Sequence, residues 1–275
     1  MAVLLALFTA VSYGVGDFSG GMASRRATPL TVTATAHAVG LTGLLVVAAL
    51  VGATQVGGVD LLLGGVGGVC GCIGVVLLYQ GLSTGSMAIV SPISAVIAAA
   101  VPVTGGLIAG ERPGGIALIG IVIALVAIVL VSRAGPMGRP APGPLLAAVG
   151  SGIGFGLFFL CVSGIQEEAG LWPLVLARVV SLTVAVALAM IRRVPVVAPG
   201  PVFGLAVAAG LLDVTANVTF LLATQRGLLA VVAVIASLYP ATTVVLAMSV
   251  GRERVSATQA WGLAAAAAAL VLITV

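Results

Sequence analysis

Apolar runs of about twenty residues, cut only by short knots of charge, proline or glycine, fill this chain from end to end. Ten can be marked, at about 2–22, 29–52, 60–82, 84–109, 114–132, 144–165, 171–191, 201–223, 227–250 and 256–275. A helix needs about 20 apolar residues to cross the hydrocarbon core of a bilayer. A lipid-exposed backbone must satisfy its own hydrogen bonds, so each run is expected to be a helix. Only 7% of the residues are charged, against about 25% in a soluble domain. Water cannot solvate such a surface. The chain reads as an all-α integral membrane protein with ten transmembrane helices, the first retained as a span.

The runs are not independent. An offset of 142 residues carries Glu111-Arg112 onto Glu253-Arg254, Gly85 onto Gly227 and Gly120 onto Gly262. It also carries Ala88, Val90, Ile93, Ala99 and Val103 onto identical residues. One unit has been used twice. The expected organisation is a first repeat at 1–133, a Gly/Pro linker at 134–143 and a second repeat at 144–275. Each repeat holds five spans. An odd number makes the second copy enter the membrane upside down, so the two five-helix units form an inverted repeat. Inverted repeats place a binding site near the midplane, between the halves.

Charge excludes several functions. All eleven basic residues are arginines, ten of them scattered over loops without a basic run, so no nucleic-acid footprint is present. Eight loop arginines lie on one side of the expected topology and two, Arg112 and Arg226, on the other; this bias favours both termini outside. A single histidine, His37, excludes the usual metal-ligand patterns. Cys70, Cys72 and Cys161 are small packing residues within apolar spans. No nucleophile–base pair and no paired carboxylates appear, so no catalytic residue and no cofactor is assigned. The Gly152-x-Gly154-x-Gly156 run lacks the strand and the Lys-Ser/Thr of a phosphate loop and reads as close helix packing.

A charge at mid-membrane costs about 2.5–3.5 kcal/mol on insertion scales, so the few ionisable groups inside spans are informative. They are Asp17, His37, Arg178 and Asp213. Tyr13 and Asp17 share a helix face at i,i+4, and Asp213, Asn217 and Phe220 share another at i,i+4,i+7. Such stripes face a cavity or a neighbouring helix. Pro240, after Tyr239, interrupts span nine, and Pro92 and Pro102 interrupt span four; the kinks are architectural or line a cavity. Glu111 and Glu253 read as helix-end structure. Arg178 and Asp213, in adjacent spans, are cheapest to bury as a pair if their depths agree. The expected substrate-binding set is Tyr13, Asp17, His37, Tyr79, Arg178, Asp213, Asn217 and Tyr239, converging on one polar space between the halves.

Certain of these residues resemble a known family. Ser237-Leu-Tyr-Pro240-Ala-Thr-Thr, with Gly251-Arg-Glu253-Arg and Gly262, resembles the end of an EamA-like repeat of the drug/metabolite transporter superfamily. Gly110-Glu111-Arg112 with Gly120 resembles its first copy. Trp172-Pro-Leu-Val-Leu-Ala-Arg178 is similar to the family's second-helix pattern, in which the arginine is usual. The first repeat departs from it: aligning Pro29 with Pro173 puts Ala34 at the arginine position, with His37 one turn on. The resemblance implies an exporter or exchanger of small organic metabolites with a central cavity and both termini cytoplasmic, opposite to the arginine count. It also implies a bacterial or archaeal cell membrane. Expected partners are a small-molecule substrate, a proton or counter-substrate, and membrane lipid. An intramembrane enzyme and a non-transporting membrane subunit are the other classes open to such a chain.

Overall fold

The computed structural model describes residues 1–83, 87–131, 142–242, 245–246 and 256–274. Gly85, Arg133, Arg139, linker positions 134–141 and the charged knot Arg252, Glu253, Arg254 lie outside the described residues. The first half contributes α1 (Ala2–Ser24), α2 (Pro29–Val51), α3 (Gly58–Ser83), α4 (Met87–Ile108) and α5 (Gly115–Val131). The second contributes α6 (Pro142–Ser163), α7 (Trp172–Ile191), α8 (Gly200–Thr224), α9 (Leu229–Ala236) and α10 (Ala257–Thr274). Among the described residues no strand occurs.

Local chemistry sets these boundaries. Thr28 caps α2, its hydroxyl accepting from Thr31 N–H at 3.2 Å, with Pro29 at the first position. Proline suits that turn because its missing N–H would have had no helical partner. The same reasoning corrects the linker. Pro142 and Gly143 are already helical in α6, since Pro142 and Pro144 occupy a first turn that tolerates proline. A 3-10 turn at Glu167–Ala169 then joins α6 to α7.

Six helices, α1, α2, α3, α6, α7 and α8, are long and apolar enough to cross a membrane by length and composition. The other four have shorter apolar stretches within the described residues. α9 is the clearest departure from one unbroken span. It ends at Ala236, turns through Ser237 and Leu238, and helix resumes at 239–242. Pro240 has no N–H to donate to Ala236, and its ring crowds that carbonyl, so the ladder breaks there.

The main helix contacts recur when each helix is replaced by the one five places along. α1 lies on α8 as α6 lies on α3; α2 lies on α8 as α7 lies on α3; α1 lies on α9 as α6 lies on α4. The pairs α2–α7, α4–α9 and α5–α10 map onto themselves. Glycines mark the closest approaches, as expected where lipid gives helices no hydrophobic reason to associate. A β-carbon on Gly120 would meet Ile273, and one on Gly262 would meet Val131. Both members of that contact shift by the same 142 residues. The 152–156 glycine run also packs: Gly152 and Gly156 face α4, and Gly154 faces Cys70 and Gly74 of α3.

The loops are tied across the halves. At one end Thr54 and Gln55 donate backbone N–H groups to Glu168 O at 3.0 Å each. Asp60 accepts from Gly57 N–H at 3.1 Å and from Gln166 N–H at 3.0 Å. At the other end Thr31 donates its hydroxyl to Pro195 O at 2.5 Å, and Thr35 accepts from Ala198 N–H at 2.8 Å. Glu111, after α4, clasps the start of α9, accepting from Leu229 N–H at 2.7 Å and Ala230 N–H at 2.9 Å. Those N–H groups have no partner inside the helix, and the helix dipole favours an anion beside them. Glu111→Ala should therefore lower unfolding free energy by about 2–3 kcal/mol, the worth of charge-assisted bonds. Glu111→Gln, which keeps one carbonyl acceptor, should fall between. Thermal unfolding of the purified protein checks this, and an unchanged alanine variant would mean the clasp carries nothing.

Candidate functional site

The polar stripe of α8 is the base of the site. Asp213 and Asn217, one turn apart, put their side chains on the same face, and Asn217 Nδ2 donates to Asp213 Oδ2 at 3.1 Å. Tyr13, reaching across from α1, donates its hydroxyl to Asn217 Oδ1 at 2.5 Å. Arg178 of α7 donates from Nη2 to the same Asp213 Oδ2 and forms the one ion pair among the described residues. Its side chain is 6% exposed and that of Asp213 is 21% exposed. Each ion alone would be costly in hydrocarbon, and pairing removes most of that cost. One turn along α7, Ser181 Oγ lies 2.8 Å from His37 Nδ1 of α2. Four helices thus converge their few polar side chains through hydrogen bonds.

These groups line one side of a cavity. Gly67, Gly68, Gly71 and Val75 of α3, with Phe155 and Phe158 of α6, line the other. The 142-residue offset relates the two walls: it puts Gly71 where the second half has Asp213, and Val75 where it has Asn217. One copy of the surface is polar and charged; its counterpart is smooth and apolar. The space is about 30 Å³, room for about two water molecules. Small-molecule sites run to about 300–1,000 Å³, so the cavity is too small for such a ligand in this conformation.

Tyr13, His37, Arg178, Asp213 and Asn217 are brought together here. Asp17, Tyr79 and Tyr239 stand outside the cavity wall. They gather instead around Asp17, farther along α1. The chain has only three tyrosines, and Tyr13, Tyr79 and Tyr239 all lie within electrostatic reach of Asp17. Tyr79 presses its ring against Gly20, one turn beyond Asp17. Tyr239, carried by the segment after the α9 break, has Ser94 beside its hydroxyl, and Ser94 is 2.9 Å from Ser151. Asp17 is within reach of Asp213 and makes no hydrogen bond or ion pair among the described residues. The polar groups therefore fall into two adjoining clusters, joined by Tyr13.

Phe220 is corrected as a member of the polar stripe. It is fully buried and stacks on Phe159 with ring centroids 4.4 Å apart. Three site residues escaped sequence reasoning. Ser181 was legible as the i+3 neighbour of Arg178. Phe155 and Phe158 were hidden by the glycine run around them, where small residues explained the pattern without them. Among the described residues no group of three or more His, Cys, Asp or Glu could hold a metal ion.

Seventeen chains of solved structures match this one. One, described only as the crystal structure of a protein, is 18% identical and superposes with a TM-score of 0.77 over 99% of this chain and 95% of its own. At that identity the likeness establishes the fold alone. No curated protein matches the sequence. Residues 1–133, the first five helices, match the profile of the EamA-like transporter family. Apolar helices long enough to span a bilayer, together with that match, make the chain an integral, multi-pass membrane protein whose first five helices are those of the EamA-like transporter family of the drug/metabolite transporter superfamily.

Proposed function

We propose that the chain is a secondary transporter of small organic metabolites such as amino acids, an exporter or exchanger, working by alternating access. The observation that carries this reading is the Arg178–Asp213 pair facing a glycine- and phenylalanine-lined wall. A carboxylate and an ammonium on one solute match the two charges, and an apolar side chain matches the opposite wall. Tyr13, His37 and Asn217 supply further hydrogen bonds to such a solute. The recurrence of the main helix contacts after a five-helix shift supports units at 1–133 and 144–275. Five spans per unit put them in inverted orientation. Near-equivalent units can exchange conformations, opening the cavity first to one side and then to the other.

Asp17 has a separate role in this scheme. An unpaired carboxylate within a span, beside the charge pair, is the place for a proton or a cationic counter-substrate. The test is counterflow in proteoliposomes with a panel of radiolabelled amino acids. Exchange of at least one is expected; no exchange of any would overturn the substrate class. Asp17→Asn should keep exchange and lose accumulation driven by a pH gradient. Gradient-driven accumulation persisting in that variant would remove Asp17 from coupling.

A further inference from the structure

A second and larger cavity, of about 430 Å³, lies on the outside of the helix bundle. It is a groove between α2 and α7, closed at one end by the 196–197 loop and Phe203 of α8. Ala34, Ala38 and Val39 form one wall and Leu182 and Val186 the other, with only Thr35 and Thr42 polar. The α2–α7 seam forms its back, and the other side of that seam holds the His37–Ser181 contact. The chain that joins the lining residues Val186 and Val196 is held in a defined turn. α7 ends in Arg192 and Arg193, and Arg193 takes the left-handed conformation at φ 53°. Val194 N–H returns to Ala189 O at 2.9 Å, the closure usual for such a helix end. The chain then runs back to α2, where Thr31 and Thr35 hold it at Pro195 and Ala198.

Both arginines are exposed, and neither forms an ion pair among the described residues. The described carboxylates near helix ends, Asp60 in the first turn of α3 and Glu111, Glu167 and Glu168 in loops or turns, all lie at the opposite end of the bundle. Two exposed cations, with no counter-charge among the described residues, therefore lie on the stretch of chain between Val186 and Val196, which both line the apolar groove. We propose that this is a binding site for an anionic phospholipid, with the phosphate on Arg192 and Arg193 and an acyl chain in the groove. Arginine matches phosphate through paired N–H donors, and the walls match a hydrocarbon chain. Neither requirement depends on what the central cavity carries.

Native mass spectrometry and thermal unfolding of the full-length protein test this, with dioleoyl phosphatidylglycerol compared against dioleoyl phosphatidylcholine. Wild type should retain and be stabilised by phosphatidylglycerol in preference. Each arginine lost should weaken that binding about five-fold, and Arg192→Gln with Arg193→Gln together about thirty-fold. Ala38→Trp fills the groove, keeps both arginines and so leaves membrane insertion undisturbed; it should remove the preference as well. Equal binding of the two lipids by wild type would overturn the site. A preference that survives Ala38→Trp, or stabilisation by inorganic phosphate alone equal to that by the lipid, would also overturn it, leaving an anion contact without a lipid groove.

Discussion

Arg178→Gln and Asp213→Asn are each expected to destabilise the protein by about 3–5 kcal/mol, because each leaves one buried ion without its partner. The double variant should recover most of that loss, since two neutral amides can hydrogen-bond across the same gap between α7 and α8. The recovery is physical, not functional. A solute that presents a carboxylate and an ammonium loses both charge-assisted bonds in the double variant. At about 1.5–3 kcal/mol per bond, exchange at low substrate should fall at least tenfold. The measurement is exchange flux for the two single variants and the double variant, beside the amount of folded protein in the membrane. Full flux in a stable double variant would reduce the pair to a structural clamp. Asn217 makes the contrast sharper, because it holds Asp213 from the same helix at 3.1 Å and can keep the uncharged side chain in place.

Gly68→Val and Gly210→Val are expected to be nearly as damaging, for a different reason. A β-carbon on Gly210 would be driven into the Ala36 carbonyl of α2, and one on Gly68 into the Ala177 carbonyl of α7. The obstacle is backbone in both cases, so no rotamer change relieves it and the helices must separate. Overpacking costs about 1–3 kcal/mol and occasionally more; these positions should lie at or above the upper end. The residues are 142 apart and sit in equivalent contacts, so the two losses should be similar. Gly65→Val and Gly204→Val, on the same two helices with nothing within 4 Å of the added carbon, are the controls. They should be neutral or slightly stabilising, since valine is the better helix former. Melting temperatures of the four variants decide the matter. Equal losses at all four would mean that glycine content, not close approach, governs these helices.

How much was legible beforehand follows from what local chemistry controls. The apolar runs determined where helices form, and Pro29, Pro173 and Gly200 mark starts within a residue or two of the expected ones. The 142-residue offset was enough to anticipate that contacts would come in related pairs, as Gly120 and Gly262 do. The cost of an isolated charge in hydrocarbon was enough to single out Asp17, His37, Arg178 and Asp213, because depth in the span can be read before any neighbour is known. What each of these side chains meets was decided by tertiary structure alone. Arg178 and Asp213 share a span depth in the sequence only if the helices are cut correctly; the crossing of α7 and α8 brings them together. Tyr13 meets Asn217 across 204 positions, a partner no spacing rule reaches. The separation of the polar residues into two clusters, one around Arg178 and one around Asp17, has the same origin. Periodicity assigns a residue to a face of its own helix. Which helix that face meets depends on the rotation and crossing of whole helices, set by where small residues let backbones touch.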